Sequence, residues 1–470
     1  MMFRNYAQVG TEGCCMLNAT TDVKNSDFRR YLEAYAEREA DFLERVSEFG
    51  LEFADGASGP SPAEAYRDGA RACAGCNFVA RFACDPTAHG INVENDGKSF
   101  WRSWISPACL TCRKGLGTAT FLISTQCPRD CWFCFNPNQV DYERLKQETN
   151  DVVAELESHY AQGARYADLA LTGGEPLLHK DEVIRFYTRA RELYPDAYTR
   201  LYTSGSYLDE EMFGRLRDVG LDEIRFSIKT DDSPAQQDVT FARIEAARAY
   251  IPHVMVEMPV IPEEVEVMKA LLRRLDSLGV NGINLLELCF PLHNVEAFAR
   301  RGLKLKRRPM RVLYDYWYAG GLPIAGSEEA CLELLEFAAD EGLGLGVHYC
   351  SLENKFTGQI YLQNMGFHED GIRSASAKDY FIKSAKAFGI DAIKVRALLG
   401  GWGVPSQDSS DGSYVEFPVT AIVRLRALVP DMELGIGFYV AEYDETGAGY
   451  LKEVDVRVTT PAEFDLKRDF

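Results

Sequence analysis

Between residues 118 and 349, short apolar runs recur along the chain, each followed by a stretch with apolar positions at helical spacing. The runs fall at 118–124, 168–171, 200–203, 223–228, 254–258, 282–287 and 343–349, with a weaker one at 322–325. Runs this short, bounded by glycine and turn residues, read as buried strands, and the longer stretches between them read as amphipathic helices. Their alternation predicts a parallel sheet covered by helices, and about eight such units close a β/α barrel. The expected fold class is therefore α/β, a full or partial TIM-like β/α barrel over residues 117–365, with its reactive face at the C-terminal ends of the strands.

The flanks follow other patterns. Phe28, Tyr31, Leu32, Tyr35, Phe42, Leu43, Val46 and Phe49 share helical spacing between a Ser26 cap and a Gly50 stop, which predicts one amphipathic helix in a helical N-terminal segment, 1–72. A Gly/Ser/Pro-rich stretch at 54–63 leads into a Cys-rich segment, 73–116. Beyond 365 the alternation stops, and runs at 415–428, 433–442 and 450–459 predict a small α+β domain over 366–470.

Composition narrows the function. The chain has 470 residues, enough for more than one domain, and 51 basic against 71 acidic residues give a formal charge of −20. That charge repels a phosphate backbone and argues against nucleic acid as a partner. A short basic run at 304–311 reads as a solvated face or a contact for an acidic carrier protein. No stretch approaches the roughly 20 apolar residues that span a bilayer, and the amino terminus lacks the order of a secretory signal, so the expectation is a cytoplasmic protein without a membrane partner. In a reducing compartment, thirteen cysteines, several at two-residue gaps, point to metal ligation before disulfides.

Immediately after the first predicted strand stands Cys127-Pro-Arg-Asp-Cys131-Trp-Phe133-Cys134. Three thiolates so close on one loop can face one metal centre, and thiolates hold iron–sulfur clusters. Three ligands leave one iron of a cubane open to a substrate or cofactor. A zinc loop completed by a ligand from elsewhere would use the same gaps.

CxxxCxxC with an aromatic residue before the third cysteine resembles the signature of radical S-adenosylmethionine (SAM) enzymes. The resemblance implies a [4Fe–4S] cluster on Cys127, Cys131 and Cys134, SAM on the fourth iron, and reductive cleavage of SAM to a 5′-deoxyadenosyl radical. It also implies that Gly173-Gly174-Glu175-Pro176, ending the second strand, is the GGEP motif that holds the SAM amino group. The glycines let backbone approach closely, and the glutamate offers a carboxylate. The resemblance adds Phe133, Ser204, Ser227 and Lys229 to the cofactor-binding set and places Glu257 and Met258 near the adenine, Glu257 reading equally as a rim carboxylate.

Cys109-Leu-Thr-Cys112, the stretch 221–226 and the stretch 347–351 resemble, over roughly residues 105–365, a group of radical SAM proteins described as related to pyruvate formate-lyase activating enzymes. Cys73-x-x-Cys76 and Cys109-x-x-Cys112 together suit a second metal site, zinc or an auxiliary cluster, with Cys84 as a substitute; Cys14 and Cys15 are unassigned. The last strand ends His348-Tyr349-Cys350-Ser351, followed by Lys355 and Gln359, and its polar termini are expected to face the cavity. His348, Tyr349 and Cys350 are thus the candidate catalytic groups, as acid or base and as hydrogen-atom donors, with His293 and Glu287 as further substrate contacts.

Two functions fit these motifs. One is a radical SAM enzyme that draws an electron from a flavodoxin or ferredoxin-type donor and abstracts hydrogen from a small-molecule, peptide or protein substrate, in the last case activating a partner. The other is a non-catalytic iron–sulfur or zinc protein using the same barrel for redox sensing or assembly.

Overall fold

The computed structural model describes residues 23–55, 90–112, 117–139, 141–306, 321–444 and 446–470. The chain divides into two compact units, one formed by Pro60–Leu305 and Tyr314–Gly358, the other by Met1–Gly59, Lys306–Leu313 and Gln359–Phe470. Among the described residues no helix is long and apolar enough to cross a membrane.

The first unit is built on β1 (Asn92–Glu94), β2 (Ser99–Arg102), β3 (Thr118–Leu122), β4 (Asp168–Thr172), β5 (Tyr198–Thr203), β6 (Glu223–Phe226), β7 (His253–Val260) and β8 (Gly282–Glu287). A short ribbon of β9 (Cys289–Phe290) and β10 (Leu322–Pro323) follows, and then β11 (Gly346–Cys350). Nine of these strands form one sheet in the order β1-β2-β11-β8-β7-β6-β5-β4-β3. The seven from β3 to β8 and β11 run parallel, as a partial barrel.

One expected strand does not join the barrel. The weak run at 322–325 is not a barrel strand: Leu322 pairs antiparallel with Phe290 in the separate ribbon, and Pro323 lacks the N–H that a strand with two neighbours needs. Beside β11 the sheet continues instead with β2, which precedes the first barrel strand in sequence and runs antiparallel, His348 opposite Trp101.

Side chains alternate across each strand. Leu169, Leu171, Leu201, Ile224, Phe226, Val254, Val256, Ile283, Leu285 and Val347 face the helices and share one buried cluster with Phe186, Leu216, Phe241, Leu272 and Leu335. Each such side chain contributes about 1.5–3 kcal/mol through burial. The opposite side of the sheet is polar although deeply buried, with Asp168, Arg200, Glu223, Arg225, Asn284 and His348 all nearly inaccessible. Its charges are neutralised in pairs, Arg200 with Asp168 at 3.2 Å and Arg225 with Glu257 at 2.6 Å, which offsets the cost of taking them out of water. The Pro107–Cys112 helix is joined to this polar side: Arg225 donates to Ser106 Oγ at 3.0 Å, and Thr111 Oγ1 donates to Asp168. Residues 90–112 therefore belong to the barrel unit rather than to a separate Cys-rich segment.

The second unit is an antiparallel sheet of β12 (Ser374–Ala375), β13 (Ile382–Phe388), β14 (Gln407–Asp408), β15 (Tyr414–Phe417), β16 (Leu434–Tyr443) and β17 (Gly449–Thr459). The N-terminal helix, Ser26–Ser47, belongs to this sheet and not to a segment of its own. Phe28 stacks on Phe388 with ring centroids 4.2 Å apart, and Asn25 Nδ2 donates to the Phe388 carbonyl at 3.1 Å. Buried Lys386 donates to Tyr31 at 2.7 Å and to Glu453, tying helix and sheet together.

Candidate functional site

The loop that follows β3 carries Cys127, Cys131 and Cys134, and its backbone is pressed against the turn that follows β4. Gly174 N donates to Ser124 O at 2.8 Å, Glu175 N donates to Gln126 O at 2.7 Å, and Asn136 Nδ2 donates to Gly173 O at 3.2 Å. A Cβ on Gly174 would lie 2.1 Å from Gln126 O, and one on Gly173 would lie 2.6 Å from Ser124 O. The glycine pair is thus required for the close approach of two backbones, cluster loop and cradle.

The Glu175 carboxylate, expected to face a ligand, faces the protein. It is fully buried and accepts from Leu177 N at 3.1 Å, Thr203 Oγ1 at 2.8 Å, Ser204 N at 2.7 Å and Ser204 Oγ at 2.5 Å. Its acceptor capacity is spent on fastening the end of β5 to the GGEP turn. The Ser204 hydroxyl, expected in the cofactor-binding set, is committed to the same carboxylate. Pro176 opens a helical turn, Pro176–His179, in which Pro176 and Leu177 are buried.

Ser227 is exposed just beyond β6, its amide bonded to Thr203 O at 3.0 Å. Lys229 reaches the cluster loop, its Nζ 3.5 Å from Asp130 O, and Arg129 pairs with Asp232. Phe133 packs edge-on against Trp132, with centroids 5.1 Å apart. His293, expected among the substrate contacts, and its neighbours instead bond to the cluster loop. His293 Nε2 donates to Cys134 O at 2.8 Å, Asn294 Nδ2 donates to Trp132 O at 3.2 Å, and Asn138 Nδ2 donates to Pro291 O at 2.7 Å.

Cys127, Cys131 and Cys134 are thiols carried on one loop, the donor type that holds iron–sulfur clusters, although their side chains are not gathered as ligands of one ion in this structure. Burial pushes Cys131 up to about 11, with Cys134 and Cys127 adding to the rise and Lys229 and Arg129 opposing it. Burial also raises Cys127 and Cys134.

The last barrel strand divides by alternation. His348 is on the polar side, with Nε2 2.7 Å from Ser99 Oγ and Nδ1 2.8 Å from Asn284 Oδ1. Asn284 Nδ2 donates to Glu257, so Oδ1 is the acceptor and His348 carries its proton on Nδ1. Cys350 is on the same side, receives a hydrogen bond from Asn354 Nδ2 at 3.3 Å, and is pushed up to about 12 by burial, against the pull of Lys355. Tyr349 points the other way, into the helix-facing layer, stacked on Phe100 and with its hydroxyl 3.3 Å from both Glu287 and Glu328. The same alternation places Glu287, which accepts from Leu352 N at 3.0 Å, and Met258 in that outer layer. Tyr349, Glu287 and Met258 therefore do not face the cavity. Gln359 is buried on the Leu352–Asn364 helix, and its residue belongs to the second unit.

Arg225 and Cys109 meet on the polar side of the sheet. Arg225 Nη2 and Asn284 Nδ2 each lie 3.4 Å from Cys109 Sγ. Burial would raise this thiol, but Arg225 and His348 overcome it and bring Cys109 down to about 6. Burial would likewise raise Glu257, and Arg225 and Asn284 instead hold it below the usual carboxylate range. Glu257 is accordingly an interior ion-pair partner rather than a rim carboxylate. Cys112 is raised by burial. Cys73, Cys76 and Cys84, the rest of the expected second metal set, and Cys14 and Cys15 lie outside the described residues. Among the described residues no three Cys, His, Asp or Glu side chains stand together as ligands of a single ion.

The family model described as the radical SAM superfamily matches residues 121–275, from β3 through the cluster loop and the GGEP turn to the helix after β7. The chain contains a radical SAM domain. Over 275 residues, 55% of this chain and 67% of the relative, it is 27% identical to a Methanocaldococcus jannaschii protein that carries the provisional name glycyl-radical enzyme activating enzyme MJ0021. Over 112 residues, 23% of this chain, it is 30% identical to the PqqA peptide cyclase of Granulibacter bethesdensis, of which it spans 28%. Among solved structures, Streptococcus suis SuiB bound to S-adenosylmethionine overlaps 52% of each chain at 12% identity, with a TM-score of 0.37, too distant a likeness to bear on the site. The radical SAM domain is thus related to activating enzymes, and the family implies an iron–sulfur cluster and SAM.

Proposed function

We propose that this chain is an enzyme that cleaves SAM reductively and uses the resulting radical on a peptide or protein substrate. When bound, the [4Fe–4S] cluster and SAM would supply one-electron cleavage to a 5′-deoxyadenosyl radical. Cys127, Cys131 and Cys134 would hold the cluster. The backbone at Gly173 and Gly174 would receive the amino group of SAM, and Ser227 and Lys229 would line its polar end.

The observation that carries the proposal is the contact between the Gly173–Gly174 turn and the cluster loop. The loop with three thiols and the turn that receives an amino acid share one backbone surface, fixed by Gly174 N to Ser124 O and Glu175 N to Gln126 O. A non-catalytic metal loop has no need of that juxtaposition. The polar side of the sheet, with Arg225, Glu257, Asn284, His348, Cys109 and Cys350, would bind the substrate. Its buried charges are paired, which suits a site that orients a substrate and keeps water from a radical. His348, fixed at both nitrogens, acts there as an orienting group, and Cys350, held protonated, keeps a hydrogen atom available. The names of the two relatives, an activating enzyme and a peptide cyclase, favour a peptide or protein as that substrate.

Electron paramagnetic resonance of the reconstituted, reduced chain tests this reading. Addition of SAM should change the cluster signal in the wild type, and Gly174→Val, whose side chain would meet the Gln126 backbone and part turn from loop, should retain less cluster and respond less to SAM. A wild-type signal indifferent to SAM would contradict the proposal.

A further inference from the structure

Of the cations on the polar side of the barrel sheet, Arg200 is neutralised by Asp168, and every nitrogen of Arg225 is engaged: Nε with Glu223 at 2.5 Å, Nη1 with Glu257 at 2.6 Å and Nη2 with Ser106 Oγ at 3.0 Å. Lys355 differs. It is half-buried near the start of the Leu352–Asn364 helix, just after β11, and its ammonium has no hydrogen-bond or ion-pair partner among the described residues.

The backbone that carries Lys355 is fixed. Ser351 Oγ donates to Lys98 O at 2.7 Å and accepts from Asn354 N at 3.0 Å, while Asn354 donates to Cys350 Sγ at 3.3 Å and accepts from Asn95 Nδ2 at 2.7 Å. The helix is thus capped without Lys355, and a cation so near its positive N-terminal end opposes its dipole. Strand register shows what the lysine adjoins. Glu257 stands opposite Asn284 and Asn284 opposite His348, with Cys350 two residues further toward the C-terminal mouth of the barrel. Burial raises Cys350 to about 12 and Cys289 to about 11, and Lys355 opposes the rise at both. Glu257, which burial would raise, is held low by Arg225 and Asn284, and Lys355 adds to their pull. Neither capping nor ion pairing explains the lysine, and a half-buried ammonium at the reactive end of a barrel is a ready partner for an anion from outside.

We propose that Lys355 receives a carboxylate of the substrate, so that the site selects an acidic peptide through an aspartate or glutamate side chain or a C-terminal carboxylate. The inference deepens the reading above and rests on it for the presence of a peptide. A charge-assisted hydrogen bond from Nζ neutralises both groups, and Glu257, committed to Arg225 and Asn284, does not compete for the ammonium. A peptide so anchored passes beside Cys350, the thiol assigned above to keep a hydrogen atom available. A chain of formal charge −20 repels acidic ligands at long range, so a preference for one marks a local cation.

The test uses the reconstituted holoenzyme with SAM present and, as probes, acetyl-Ala-Glu-Ala amide, acetyl-Ala-Gln-Ala with a free C-terminal carboxylate, and the neutral acetyl-Ala-Gln-Ala amide. Affinities are measured by ligand-observed nuclear magnetic resonance for the wild type, Lys355→Gln and the charge-retaining Lys355→Arg. One of the two carboxylate peptides should bind the wild type about tenfold more tightly than the neutral amide, and which one does so identifies the source of the carboxylate. Lys355→Gln should lose the preference and Lys355→Arg should keep most of it. The urea midpoint of Lys355→Gln should match that of the wild type, because no contact of Nζ is lost. No preference in the wild type, or a preference that survives Lys355→Gln, would overturn the proposal. So would a Lys355→Gln variant whose cluster signal no longer responds to SAM, which would place the ammonium on the cofactor. Failure of the wild type to form 5′-deoxyadenosine with dithionite would instead contradict the radical SAM reading, whichever peptide binds.

Discussion

Glu175 and Ser204 are joined twice: one carboxylate oxygen accepts both the Ser204 amide at 2.7 Å and the Ser204 hydroxyl at 2.5 Å. The glutamate of the GGEP turn thus acts inside the protein, holding the ends of β4 and β5 together.

This bond pair predicts that Glu175→Gln destabilises the barrel unit. The substituted amide offers one oxygen and turns donors toward donors, leaving buried groups unsatisfied at a cost of about 1–3 kcal/mol. A lower urea midpoint for the metal-free variant, and weaker SAM binding by the reconstituted one, check it. Unchanged values for both would mean that the carboxylate is not the fastener described.

A second prediction concerns Gly174. A methyl group there meets backbone oxygens of Gln126 and Thr125, which cannot swing aside as a side chain tip could. Gly174→Ala should cost about 1–3 kcal/mol and lower the iron retained per chain after reconstitution. Gly214, on the Glu210–Asp218 helix with nothing within 4 Å of its Cβ position, is the control. Gly214→Ala should leave iron content unchanged and raise stability by up to about 1 kcal/mol.

The thiol of Cys109 gives a dependence on pH. Its folded-state value, about 6, is below the ordinary thiol value of 9.0. Between these limits the unfolded chain binds a proton that the folded chain does not, so stability rises with pH; the contribution is present above the unfolded value and lost as pH falls through the folded one. Urea midpoints of the metal-free wild type should therefore climb between pH 6 and 9 more steeply than those of Cys109→Ser. Parallel profiles would show that Arg225 and His348 do not hold this sulfur as a thiolate.

Much of this arrangement was legible in the sequence. The runs at 168–171, 200–203, 223–228, 254–258 and 282–287 are barrel strands, because a strand buried on both sides is short and bounded by turns whatever its neighbours. The spacing of Cys127, Cys131, Cys134 and the GGEP turn placed the two halves of the candidate site one strand and helix apart.

What escaped depends on distance in space. Nothing local marks β2 as the antiparallel neighbour of β11, or sends the Ser26–Ser47 helix to Phe388, a partner some 363 residues away in the Asn25 contact. The side on which a strand residue falls was also open, since a run ending His348-Tyr349-Cys350 contains polar groups on both faces. Only the register with β8 and β2 shows that His348 and Cys350 share the polar side while Tyr349 joins the core. Arg225 was visible within its strand, but its role appears only when the Pro107–Cys112 helix brings Cys109 to it.

The most direct test of the central claim is anaerobic incubation of the reconstituted chain with SAM and dithionite, with 5′-deoxyadenosine measured by mass spectrometry. The wild type should form deoxyadenosine, and the Cys127→Ala/Cys131→Ala/Cys134→Ala variant should form none. A wild type that holds iron and binds SAM yet forms no more deoxyadenosine than that variant, even with candidate peptide substrates added, would contradict the account.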